Sequence, residues 1–157
     1  MASNIKFTDN SIEVTEQINK GLRNAIREVA AEIVNQAKIN SRTSTGQTKN
    51  SFKYVVEQTG DGFVAHTGSS NKNAIWEEFG TGEYALEGGR KTPWYVPVER
   101  VSGKKKPTFQ GKVVVVYGKD GQVFYKTDGK KPTRALFRAF EENKDKYIAR
   151  LQKAVDE

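Results

Sequence analysis

Cysteine is absent from this chain of 157 residues. That excludes a disulfide framework, a thiolate metal site and a thiol nucleophile. A single histidine, His66, excludes the paired-histidine zinc motifs and leaves one imidazole as a candidate base. No apolar run approaches the roughly 18 residues a membrane helix needs, and the opening MASNIKFTDN lacks the basic-then-apolar layout of a signal peptide. The composition therefore reads as a soluble protein made inside a cell, without a cofactor and with little equipment for catalysis.

What the chain does have is apolar residues at 36% and a net charge of +7, in a length that suits one domain. The charge is unevenly placed. Residues 1–85 hold 9 basic and 10 acidic side chains, residues 86–134 hold 12 and 4, and residues 135–157 hold 5 and 5. An anionic partner would meet the middle segment.

From Val14 to about Ile39 the apolar residues Val14, Ile18, Leu22, Ile26, Val29, Ile33 and Ala37 recur in steps of three and four, the pattern of a long amphipathic helix capped by Asp9 or Ser11. Gly21 within it costs about 1 kcal/mol relative to alanine and points to a close neighbour or a bend. Ser51–Gln58 and Phe63–Thr67 flank Thr59-Gly60-Asp61-Gly62 as a hairpin. Asn73–Phe79 reads as a short helical turn closed by Gly80-Thr81-Gly82. Trp94–Val98 alternates, but Pro93 and Pro97 confine it to an edge or an extended arm. Val113–Tyr117 and Gln122–Lys126 form a second hairpin. A last helix runs from Pro132-Thr133 to about Val155, with Thr133 as N-cap and a stripe of Leu136, Phe140, Tyr147, Leu151 and Val155. This order predicts one α+β domain over 1–157: an antiparallel sheet packed by a long N-terminal helix and a C-terminal helix, with a basic loop or arm inserted at about 86–112.

Three patterns invite an enzymatic reading and fail on context. Gly80-Thr81-Gly82-Glu83-Tyr84-Ala85 matches G-x-G-x-x-G/A, yet charged residues precede it and a Gly-Gly loop follows. Gly103 through Lys112 has the composition of a phosphate loop, with the wrong glycine spacing and Val113 in place of the Ser or Thr magnesium ligand. Asp120 with Asp128-Gly129-Lys130 loosely resembles a metal-nuclease set, but aspartate beside glycine is above all a turn residue. Glu77, Glu78 and Glu83 read as rim charges as readily as ligands. His66 reads as a sheet-surface or core histidine.

The segment Ile75-Trp76-Glu77-Glu78-Phe79-Gly80-Thr81-Gly82 resembles the head–tail joining, or tail-completion, proteins of long-tailed bacteriophages. Further pieces follow in that family's order. Thr45-Gly46 with Lys49, Ser51 and Phe52 leads into the first strand, a long helix stands before it, and Gly129-Lys130-Lys131-Pro132 with Leu136, Phe137 and Ala139 opens the last helix. Each motif is weak alone; the ordered set spans nearly the whole chain. The leucine often found just after Thr-Gly is replaced by Gln47-Thr48.

The resemblance implies a non-enzymatic virion protein of the neck, made in the host bacterial cytoplasm. It implies a ring, expected to be a hexamer, between the head connector or head-closure protein and the tail tube or tail terminator, with DNA passing through its lumen and no membrane partner. Contact residues are then expected at Trp76, Glu78, Phe79 and Thr81 and on the arm at Trp94, Tyr95 and Val96. Lys104, Lys105, Lys106 and Lys112 would face phosphate or the lumen without reading sequence. Phe79 and Gly80 also suit a structural corner, with Phe79 in the core, Glu78 satisfying backbone amides and Gly80 making the turn. The alternative is a small nucleic-acid-binding protein that uses residues 86–134 without sequence preference.

Overall fold

A computed structural model describes residues 11–42, 46–60, 62–88, 90–101 and 114–156. Helix α1 (Ser11–Asn40) is the backbone of the fold. Its 30 residues span about 45 Å. Ala25, Val29, Ala30, Ile33, Val34 and Ala37 are buried, which is the predicted stripe widened by its neighbours, whereas Ile18 near the start of the helix is exposed. The Asp9 and Val14 assignments lie outside the described side chains. A Cβ at Gly21 would stand 3.5 Å from the Ala154 carbonyl oxygen, so the close neighbour is the C-terminal end of the chain.

After a short helix α2 (Gln47–Ser51) the chain enters strands β1 (Phe52–Thr59) and β2 (Gly62–Ser69). They pair antiparallel as a two-stranded sheet in the register Phe52↔Ser69 through Thr59↔Gly62. The hairpin packs across α1, with Phe52 buried in the core. Helix α3 (Asn73–Phe79) follows, then the two-residue strand β3 (Thr81–Gly82). Strand β4 (Trp94–Pro97) leads into the single-turn helix α4 (Val98–Val101). Strands β5 (Val114–Tyr117) and β6 (Val123–Thr127) form the second hairpin. The sheet order β4-β6-β5 leaves β4 at an edge, as its flanking prolines require. Strand β7 (Gly129–Lys130) pairs with β3.

The C-terminal segment departs from the predicted single helix. It forms α5 (Ala135–Glu141) and α6 (Lys144–Asp156), separated by a turn at Glu142 and Asn143. There the Asn143 amide donates both its backbone N–H to Phe140 O and its side chain to Ala139 O, closing one helix before the next begins. The break redirects the stripe: Ala135, Ala139 and Tyr147 are buried, Leu136 and Leu151 pack beside them, and Phe140 and Val155 are exposed.

The core is formed by α1, Phe52, α5 and α6. Tyr147 is its largest fully buried side chain, at 2% exposure, and its hydroxyl donates to Ala139 O at 3.3 Å. Burial pushes its phenol pKa up, with the nearby Glu32 carboxylate adding to the shift. On the rim of this interface Glu32 of α1 accepts from Lys146 Nζ and from Arg150 Nη1 at 2.9 Å, both on α6. The Lys146 hydrogen bond, with the charges of Lys146 and Arg150, holds the Glu32 carboxyl below its usual 4.5 against an opposing desolvation effect.

Candidate functional site

Helix α3 presents Ile75, Trp76 and Phe79 to solvent. Trp76 is 55% and Phe79 45% exposed, so the expected placement of Phe79 in the core is overturned. The reason is the length and setting of α3. Its inner face is occupied by two glutamates that bind other parts of the chain, and no buried residue lies on this helix. Grooves flank the ridge on both sides. The first, about 1010 Å³, is walled by α3, the corner after it and Trp94. The second, about 590 Å³, lies between α3, Leu136 and the loop after β2. Ile75, Trp76 and Phe79 line both.

The ridge is held in place by its own charged residues. Glu78 accepts from the backbone N–H groups of Leu136 at 3.0 Å and Phe137 at 2.8 Å. With Arg134 as N-cap, these are the second and third amides of α5, the pair a capping side chain normally satisfies. The carboxylate also faces the positive end of the helix dipole. Thr133 is therefore not the N-cap. Its hydroxyl donates to Glu77 Oε2 at 3.2 Å and its N–H to Glu77 O at 2.6 Å, while Arg134 takes the left-handed conformation, with φ 52°, and stacks its guanidinium 3.6 Å from the Phe137 ring centroid. Glu77 also accepts from Lys130 Nζ. A cap expected within the local sequence is supplied instead by a helix more than fifty residues upstream.

Gly80 ends α3 with φ 75°, and a Cβ there would meet Lys130 O, Pro132 Cδ and Tyr84 O at 2.8–2.9 Å. The structural role expected of Gly80 is thus what the geometry gives. The bridge beside it is tighter still. Gly82 and Gly129 stand opposite one another, and a Cβ on either would come within about 2.1 Å of the facing carbonyl oxygen. Thr81 Oγ1 accepts from Lys130 N at 3.0 Å, and Glu83 N donates to Asp128 O at 2.7 Å.

Of the expected contact residues, Trp76, Phe79, Thr81 and Trp94 line one groove. Glu78 and Thr81 spend their side-chain oxygens inside the protein, where they fix the ridge and the bridge beside it. Tyr95 on β4 is 54% exposed, and Val96 is half-buried opposite Tyr125. Lys104, Lys105, Lys106 and Lys112 lie outside the described residues. Four other basic residues of the middle segment are engaged. Lys91 donates to Glu83 O and Ala85 O at 3.3 and 3.1 Å, Lys130 binds Glu77, Lys131 lies over the Tyr84 ring and Arg134 over Phe137.

The phosphate-loop-like segment from Gly103 to Lys112 lies outside the described residues. Gly80 and Gly82 of the dinucleotide-like pattern form the corner and bridge described above. Asp128 and Lys130 belong to the bridge just described. His66 is exposed on β2, its Nε2 3.8 Å from Glu57. Among the described residues no group of three or more His, Asp or Glu could hold a metal ion, and no helix is long and apolar enough to cross a membrane. The expected role of Glu78 in satisfying backbone amides is what the geometry gives. Which amides they are, and the partners of Glu77, were beyond sequence reasoning, because no local pattern links residues so far apart in the chain. Comparison with protein-family models, with curated proteins and with solved structures finds no match.

Proposed function

We propose that this chain is a non-enzymatic structural protein of a long-tailed bacteriophage neck, completing the tail and joining it to the head as a ring of like subunits around the DNA channel. The observation that carries the reading is the α3 ridge. A tryptophan, a phenylalanine and an isoleucine stand in solvent on a helix whose position is fixed by two glutamates, a glycine corner and a glycine bridge. Exposed aromatic side chains held rigidly beside grooves are what a protein partner buries as anchor residues, since no ordering of the surface is needed on binding. Two of the motifs that carry the phage resemblance, Ile75 to Gly82 and Gly129 to Phe137, form this ridge and its supports. Repetition around an axis would multiply contacts that are individually modest. Engagement of Lys91, Lys130, Lys131 and Arg134 within the protein leaves less of the basic segment for nucleic acid than its charge suggests.

The test is cryo-electron microscopy of tailed particles that carry this chain, with Trp76→Ala/Phe79→Ala as the accompanying variant. Density for the chain in a ring at the neck is expected, together with unjoined heads and tails for a variant whose circular dichroism is unchanged. Finding the chain elsewhere, or absent from purified particles, would overturn the proposal. Salt-sensitive DNA binding by the isolated chain that disappears in Lys104→Ala/Lys105→Ala/Lys106→Ala would favour the nucleic-acid-binding alternative.

A further inference from the structure

Strand β1 has one neighbour in its sheet, β2, so its other edge carries unpaired backbone groups among the described residues. The pairing Thr59↔Gly62 across a two-residue loop makes that pair a hydrogen-bonded one. Alternation then points the N–H and C=O groups of Thr59, Glu57, Val55 and Lys53 toward β2. Those of Gln58, Val56, Tyr54 and Phe52 point outward. Phe52 lies in the core against α1, so Lys53, Val55 and Glu57 share the opposite, solvent-facing side of the strand. All three are exposed, Val55 at 56%. Lys53 and Glu57 stand two positions on either side of Val55.

We infer that β1 pairs antiparallel with β1 of a second copy of this chain, about a two-fold axis through Val55. In that register Tyr54 meets Val56 of the partner subunit, and the partner's Val56 is one of the residues with free outward backbone groups, as is Tyr54. The partner's Glu57 stands opposite Lys53 and the partner's Lys53 opposite Glu57, giving two reciprocal ion pairs flanking a Val55–Val55 contact. These are non-hydrogen-bonded positions, where facing side chains come closest. Moving the axis by one residue in either direction removes both ion pairs. Strand polarity, hydrogen-bond parity and charge thus select the same register. Two joined hairpins also make a four-stranded sheet from ribbons that have little stability alone. The pairing depends on one strand edge and not on the neck reading.

Analytical ultracentrifugation of the full chain across a concentration series tests it. The wild-type chain should form a dimer. Lys53→Glu and Glu57→Lys should each weaken it about tenfold or more, because each sets like charges opposite one another at two places. The double variant Lys53→Glu/Glu57→Lys should restore it. Mixing the two single variants should also restore it, as a heterodimer with both pairs of opposite sign. Because the chain has no cysteine, Val55→Cys introduces its sole thiol, placed for a cross-axis disulfide at a Cα separation of about 4.5 Å. Under mild oxidation it should cross-link far faster than Thr59→Cys. A chain monomeric throughout the series, a dimer indifferent to the charge reversals, or equal cross-linking by the two cysteine variants would overturn the inference.

Discussion

The body built from α1, the first hairpin, α5 and α6 and the sheet β4-β6-β5 are stabilised in different ways. The body converges on buried apolar side chains from α1, Phe52, Ala135, Ala139 and Tyr147. The sheet contributes none of the buried residues, and its strands are half-buried or exposed along their whole length, with Tyr117 at 76%. Its connection to the body runs through the corner at Gly80 and the Gly82–Gly129 bridge, where backbone geometry replaces side-chain burial. Burial of apolar surface sets the stability of the first region, and a covalently continuous but thinly packed sheet depends on that body to hold its base.

The contrast is most sharply broken or upheld by tyrosine truncation. Tyr147→Ala should cost about 3–5 kcal/mol in denaturant unfolding, the range for removing a buried aromatic. Tyr117→Ala should change stability by no more than about 0.5 kcal/mol. Equal losses would mean that the sheet carries core-like energy. A smaller effect is expected at the joint between the regions. Glu78→Gln turns one acceptor into an amide facing a backbone N–H, so a loss of about 1–2 kcal/mol is expected. Hydrogen exchange at the Leu136 and Phe137 amides should quicken while exchange in β6 holds. Protection unchanged at both amides would remove Glu78 from its capping role.

The smallest effect lies at the surface of the body and depends on pH. Glu32 has a depressed carboxyl pKa in the folded chain, so its pairing with Lys146 and Arg150 stabilises the fold above the unfolded pKa. That contribution is lost as pH falls through the folded value. Glu32→Gln should therefore cost about 1 kcal/mol near neutral pH, and the gap to wild type should shrink below about pH 4.5. A gap constant from neutral to strongly acidic pH would exclude the ion pairs as its source.

Much of the fold was legible because the signals were local. The α1 periodicity, the two-residue loop between β1 and β2 and the prolines that keep β4 at an edge each act within a few residues. In the Glu-Glu-Phe-Gly-Thr-Gly segment the turn at Gly80 and the service of Glu78 to backbone amides were legible, and the placement of Phe79 was not. Phe79 looked like a core residue because apolar side chains usually are, yet both glutamates before it turn inward to serve residues 130–137. The single C-terminal helix failed because helical periodicity continues through Glu142 and Asn143, whereas in the structure Asn143 closes α5 there with its own hydrogen bonds and Tyr147 enters the core from α6. Arg134 gave no local sign of its left-handed backbone.

The bridge between β3 and β7 has a topological consequence. Gly82 and Gly129 lie side by side, so the chain leaves and re-enters the body at one place, and residues 83–128 form a closed excursion from it. An excursion tied at the neck can be lengthened, shortened or exchanged for another polypeptide while its two ends remain about 5 Å apart. The basic segment, the edge strands and the second hairpin lie within this excursion, and among the described residues none of its side chains belongs to the core cluster of α1, Phe52, α5 and α6, a division of the polypeptide into a chassis and a replaceable module.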